Sequence, residues 1–108
     1  MEIKRVKKGR KESNRLVLST MQQAHVFISG RVQGVSFRYF IKTNARNLGI
    51  KGWVCNTEDG GVEAVFTGEK EKVEELIDLC RKGPMLAEVK QVGFDWEEPE
   101  ELEGFTIR

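Results

Sequence analysis

The chain predicts an α+β domain in which an antiparallel β-sheet carries two helices on one face, in the order β-α-β-β-α-β. Three observations carry that prediction. Apolar residues alternate over 24–30, those over 37–48 and 73–80 recur at helical spacing, and glycine-containing turns punctuate the stretches between. A length of 108 residues supports a single core.

Ala24, Val26 and Ile28 alternate with His25, Phe27 and Ser29, the period of a strand with one buried face. From Ser36, placed to cap a helix start, Phe37, Phe40, Ile41, Ala45 and Leu48 share one helical face, and Gly49 supplies the stop. Residues 51–56 form a second strand. Thr57-Glu58-Asp59-Gly60-Gly61 is a hairpin turn, and the returning strand covers 62–68. The second helix presents Val73, Leu76, Ile77 and Cys80 as one stripe. Its acids (Glu69, Glu71, Glu74, Glu75) come early and Arg81 and Lys82 late, which complements the helix dipole, and Gly83-Pro84 ends it. Val89–Trp96 is a fourth strand whose apolar residues do not alternate strictly, so a bulge is expected. An acidic loop over 97–101 leads to a short closing strand over 105–107.

This element order is the ferredoxin-like split β-α-β sandwich, which by itself carries no function. Right-handed crossovers bring the first and third strands to the sheet centre, flanked by the second and fourth. That arrangement lets the loop after the first strand face residues of the second.

Apolar residues make up 39% of the chain, and no apolar run approaches the ~20 residues that span a bilayer. The basic N-terminus is followed by no apolar run of secretory type, so a cytoplasmic location is expected. Cys55 and Cys80 lie far apart beside a single His, which disfavours structural zinc. Both thiols read as packing or surface residues in a reducing compartment, with a disulfide between them left open. Charge divides the chain: residues 1–20 carry seven Lys/Arg and two acids, +5, whereas 21–108 carry eleven and fifteen, −4. A boundary therefore falls near Met21, with a basic arm over 1–20, expected to be flexible, and a folded domain over 21–108. The arm reads as a solvated tail, an anchor for nucleic acid or an acidic surface, or sequence upstream of a start at Met21. Within it, Arg15-Leu16-Val17-Leu18 could add a short strand.

The stretch from Ser29 to Arg38 runs off a strand, through Gly30 and Gly34, into the first turn of a helix that bears an Arg. A helix start leaves N–H groups without intrahelical partners at its electropositive end, and glycines let backbone curl close to a bound group. A guanidinium grips phosphate through paired hydrogen bonds. The stretch is a phosphate cradle or a strand-to-helix turn of similar composition. Other motifs fail. Gly30 and Gly34 are not followed by the Gly-Lys-Ser/Thr of a nucleotide loop, no Gly-x-Gly-x-x-Gly follows a strand, and His25 has no nucleophile partner in sequence. His25 reads as a strand residue at or near the surface.

Gly30-Arg31-Val32-Gln33-Gly34-Val35-Ser36-Phe37-Arg38, then Gly52-Trp53-Val54-Cys55-Asn56, then Asp59-Gly60-Gly61-Val62-Glu63, together resemble the acylphosphatases over roughly residues 21–108. The resemblance implies hydrolysis of acyl phosphates to carboxylate and inorganic phosphate, with no metal and no cofactor. It makes Arg38 the phosphoryl-binding residue and Asn56 the residue that holds the attacking water. The backbone of Arg31, Val32, Gln33, Gly34, Val35, Ser36, Phe37 and Arg38 becomes the phosphate cradle. A carboxylate leaving group, with a conjugate-acid pKa near ~4–5, departs without a general acid, which suits a site lacking His. The implied partners are small acyl phosphates, with broad tolerance of the acyl group expected, and the chain is expected to be a monomer that meets no membrane. Cys55 stands where a long or basic residue is usual in the family, and the basic arm is the larger departure.

Each assignment has a plainer counterpart. Arg38 could pair with a surface acid, Asn56 could cap the 57–61 turn, and Gln33 could brace its own loop. Trp53 and Phe37 read as core residues. A non-catalytic phosphate- or RNA-binding module on the same fold is the rival function. A folded part that is net acidic, with no pair of exposed strand aromatics, disfavours nucleic acid.

Overall fold

The computed structural model describes residues 20–108, so residues 1–19 of the arm, with the 15–18 stretch, lie outside the described residues. The elements are β1 (Met21–Arg31), α1 (Phe37–Asn47), β2 (Lys51–Asn56), β3 (Val62–Glu69), α2 (Lys70–Lys82), β4 (Glu88–Glu97) and β5 (Phe105–Ile107). Strand order is β4-β1-β3-β2-β5, with β1 and β3 inside β4 and β2 as expected. The sheet is mixed rather than wholly antiparallel, because β5 pairs parallel to β2, matching Gly52 with Phe105 and Val54 with Ile107. This is the α+β, ferredoxin-like fold.

The alternation in β1 does what it predicts. Ala24, Val26 and Ile28 are buried, and their β3 neighbours Val62, Ala64 and Phe66 continue the same buried face. Phe37, Ile41 and Ala45 of α1 and Val73, Leu76, Ile77 and Cys80 of α2 complete one core against it. Burying such side chains contributes about 1.5–3 kcal/mol each, which is why the stripe outweighs the modest helix propensity of its Val and Ile.

The expected bulge lies in the pairing of β1 with β4. Ser29 pairs with Gln91 and Gly30 with Val89, so Lys90 is the extra residue. It explains the imperfect pattern of β4: with one residue looped out, Val89 and Val92 both pack on the core although they are three apart. Gly30 is required there, since a Cβ would run into the Glu88 carbonyl oxygen, and its φ is 124°.

Two local expectations change, and the open question of a disulfide is answered. Ser36 occupies the position before α1 but its side chain makes no capping bond; its backbone is left-handed instead. Trp53 is half-buried on the sheet face opposite the helices, because Gly52 and Val54 on either side take the core-facing positions. There the Arg108 guanidinium lies 4.3 Å from its ring centre. Cys55 and Cys80 are both free thiols.

Candidate active site

The loop from β1 to α1 is fastened at both ends. Val32 and Phe37 are each 1% exposed in the core, whereas Gly34 and Ser36 between them are exposed. Val35 packs at the core margin. Gly34 has φ 74° and Ser36 φ 65°, and Ser36 is the only non-glycine residue with positive φ among the described residues. An L-residue in that region costs about 1–2 kcal/mol. Because Val35 between them does not share it, the backbone handedness alternates over 34–36. Such alternation turns successive N–H groups into one concavity of the kind that suits an anion. The first backbone bond of α1 runs from the Phe40 N–H to the Ser36 carbonyl oxygen at 3.0 Å, leaving the N–H groups of Phe37, Arg38 and Tyr39 outside the helical ladder.

Arg38, second in α1, lies beside this loop. Of the five arginines over 20–108, four have protein neighbours. Arg31 faces Glu88 at 3.8 Å, Arg46 donates to the Phe105 carbonyl oxygen at 3.2 Å, Arg81 pairs with Asp78 at 3.0 Å, and Arg108 covers Trp53. Arg38 has no hydrogen-bonded or carboxylate partner among the described residues. The surface-pair reading of Arg38 thus finds no acid to support it. Arg31, by contrast, is exposed and turned to Glu88 on β4, so it enters the loop only through its backbone.

Asn56 ends β2, opposite Val62. It does not cap the turn that follows. The Gly61 N–H donates to Thr57 Oγ1 at 3.0 Å, and the Thr57 hydroxyl donates to the Asp59 carboxylate. That hydroxyl first, and the Gly61 N–H second, hold the Asp59 carboxyl below its ordinary range. The turn is self-sufficient, and the Asn56 amide is left exposed.

A single concavity of about 400 Å³ brings these parts together. One wall is the loop and helix start, with Gly34, Ser36, Arg38 and Tyr39; the other holds Asn56 and Ile107, and Val32 and Phe37 lie beneath. Neither Arg31 nor Gln33 nor Val35 lines it. Gln33 does something the sequence suggested only in part. Its Nε2 reaches out of the loop and donates to the Thr57 carbonyl oxygen at 2.8 Å and to that of Gly61 at 2.9 Å. Ile107 and Tyr39 were not readable as site residues: Ile107 arrives only because β5 docks parallel on β2, with the Arg108 N–H donating to the Val54 carbonyl oxygen at 2.8 Å.

Cys55 neighbours Asn56, but strand alternation points it to the other face. Burial first, and Glu63 second, push its thiol above the ordinary value, opposed by Arg108 and Arg38. His25, on that same helix-free face, is bound by Nε2 to Glu63 at 2.6 Å. It plays no part in the concavity.

Known proteins resemble this chain in sequence and in fold. A family model described as Acylphosphatase matches residues 24–107. The chain is 56% identical over 86 residues to an acylphosphatase of Chloroflexus aurantiacus, covering 79% of this chain and 94% of that one. It is 54% identical over 85 residues to an acylphosphatase of Thermococcus kodakarensis, covering 79% and 93% respectively. Its structure is similar to that of an acylphosphatase from Coxiella burnetii, with a TM-score of 0.81 at 34% identity over 83% of this chain and 95% of the other. With the family match spanning nearly the whole of the described domain, the chain belongs to the acylphosphatase family.

Proposed function

We propose that this chain hydrolyses the carboxyl–phosphate bond of acyl phosphates without a metal, holding the phosphoryl group at the 31–38 loop and Arg38 and orienting the attacking water with Asn56. The observation that carries the reading is Arg38: a half-buried residue whose guanidinium has no protein partner among the described residues, in one concavity with left-handed Gly34 and Ser36. A guanidinium and convergent N–H groups supply the electrostatic stabilisation that phosphoryl transfer needs at its equatorial oxygens.

The reaction balances with these groups alone. The water oxygen bonds to phosphorus, the phosphorus–acyl oxygen bond breaks, and the carboxylate leaves with the electron pair. Carboxylates need no proton to depart at neutral pH. Asn56 is too weak a base to take the water proton; its amide orients the water in line with the leaving group, and a phosphoryl oxygen receives the proton. The products are carboxylate and inorganic phosphate.

The test is phosphate release from benzoyl phosphate, with and without EDTA, by the whole chain and by a chain that starts at Met21. Rapid, EDTA-insensitive release by both is expected, assigning the activity to residues 21–108. Absence of release from both would send the reading back to a phosphate-binding module.

A further inference from the structure

We infer that Tyr39 forms the acyl-binding wall of this site, so that acyl phosphates with a flat apolar acyl group, such as an aromatic ring, are favoured over those with a small one. The inference rests on the proposed hydrolysis and adds the substrate class to it.

In-line displacement sets where the acyl group goes. The attacking and leaving oxygens lie on opposite sides of phosphorus. With the water at Asn56, on the β2 side of the concavity, the acyl oxygen departs toward the opposite wall, which is the start of α1. Besides Arg38, which is assigned to the phosphoryl group, and the buried Phe37, the side chain that α1 presents there is Tyr39. It directly follows Arg38, lines the same concavity, and is 64% exposed, a large aromatic left uncovered where most large apolar side chains of the domain are packed. Its Lys42 neighbour, one turn on, has Nζ 5.5 Å from the ring centre, which restrains one side of the ring by a cation–π contact. No carboxylate lines the concavity to repel a substrate, and no second large aromatic reaches it except the buried Phe37 beneath. A single exposed ring makes a one-sided platform. It rewards a flat apolar acyl group by stacking, yet excludes none, which fits broad acyl tolerance with a graded preference.

The test compares kcat/KM for benzoyl phosphate and acetyl phosphate in the whole wild-type chain, Tyr39→Ala and Tyr39→Phe. Benzoate and acetate are leaving groups of similar basicity, and the ratio of variant to wild type cancels their intrinsic reactivity. One aromatic contact predicts a fall of about three- to tenfold in the benzoyl-to-acetyl ratio for Tyr39→Ala, restored by Tyr39→Phe. The loss should lie in KM for benzoyl phosphate more than in kcat. An unchanged ratio in Tyr39→Ala, with both substrates still hydrolysed, overturns the acyl wall and leaves the hydrolysis reading standing. A ratio that Tyr39→Phe fails to restore also overturns it, because the hydroxyl and not the ring face would then be the contact. Failure of the wild-type chain to hydrolyse either substrate removes the hydrolysis reading itself and the inference with it.

Discussion

The Gln33 side-chain amide and the Thr57 carbonyl oxygen are joined by a 2.8 Å hydrogen bond that crosses from the loop after β1 to the turn after β2. The same amide reaches the Gly61 carbonyl oxygen at 2.9 Å, so one donor group spans both ends of the turn. Arg38 and Asn56 stand on either side of this clamp, five residues after Gln33 and one before Thr57. Under the proposed mechanism Gln33 is a positioning residue, setting the distance between the 31–38 loop and the Asn56 amide. Gln33→Ala should cost about 1–3 kcal/mol in urea unfolding, two hydrogen bonds of ordinary strength. Its kinetic mark should be a fall in kcat larger than any rise in KM, because mispositioned water harms the reaction more than phosphate capture. Gln33→Glu places a carboxylate against two carbonyl oxygens and should be at least as damaging. A Gln33→Glu chain of wild-type kcat would show that the clamp does not set the site.

Arg38 and Asn56 should separate kinetically. Removing a charged donor from the phosphoryl group in Arg38→Ala is expected to lower kcat/KM by about 100-fold or more, with competitive inhibition by inorganic phosphate weakened in parallel. Arg38→Lys should recover little, since an ammonium does not reproduce the planar two-point grip. Asn56→Ala should reduce kcat with KM and phosphate inhibition nearly unchanged, because the proposed mechanism puts the amide on the water and not on the phosphoryl group. Full turnover by Asn56→Ala would remove the water-orienting role.

How far these roles could be read from sequence depends on the range of the physics involved. The periodicity of Ala24-Val26-Ile28 and of Val73-Leu76-Ile77-Cys80 is local, and every one of these residues is buried as that periodicity requires. The loop before α1 is legible for the same reason, as glycines, a helix start and an Arg within ten residues, and the structure brings Gly34, Ser36 and Arg38 to one concavity. What depends on tertiary pairing is not legible. The parallel docking of β5, which brings Ile107 to the site, leaves no trace in the composition of Phe105–Ile107. Trp53, large and on a strand, reads as core from sequence. Only the strand's phase relative to the helices decides which face it takes, and Gly52 and Val54 took the inner one. Ser36 misled in another way: serine before a helix usually caps it by its side chain, but here the left-handed backbone of the loop prevails over the cap.

The buried Cys80 thiol makes stability depend on pH at the alkaline end. Burial pushes it up from 9.0 to about 12, with the Arg81 charge opposing. The unfolded chain therefore releases this proton first as pH rises past 9.0, and the folded state is left holding it. The stabilisation is full below that point and is lost progressively as pH climbs toward the folded value. Urea midpoints taken near pH 8 and near pH 10 should fall between the two in the wild-type chain and fall less in Cys80→Ala, whose side chain has nothing to titrate. Equal slopes in both chains would assign the alkaline loss to other groups. A thiol reagent should reach half-buried Cys55 in the folded chain and Cys80 only after unfolding.

Two glycines offer a matched test of whether the phosphate loop acts through its backbone. Gly34 has φ 74° and Gly49 φ 72°, and a Cβ at either would meet nothing within 4 Å. Substitution by Ala therefore has the same cost at both, about 1 kcal/mol of left-handed strain without a clash. Gly49 follows the C-terminal end of α1, where its conformation ends a helix, whereas Gly34 lies inside the candidate cradle. Gly34→Ala and Gly49→Ala should thus lose similar stability. Their activities should diverge, with Gly34→Ala down by about tenfold or more because relief of the strain rotates N–H groups away from the phosphoryl oxygens, and Gly49→Ala close to wild type. Parallel losses of activity in the two would mean that kinetics follow stability alone, and that the left-handed turn at Gly34 shapes the fold without shaping the site.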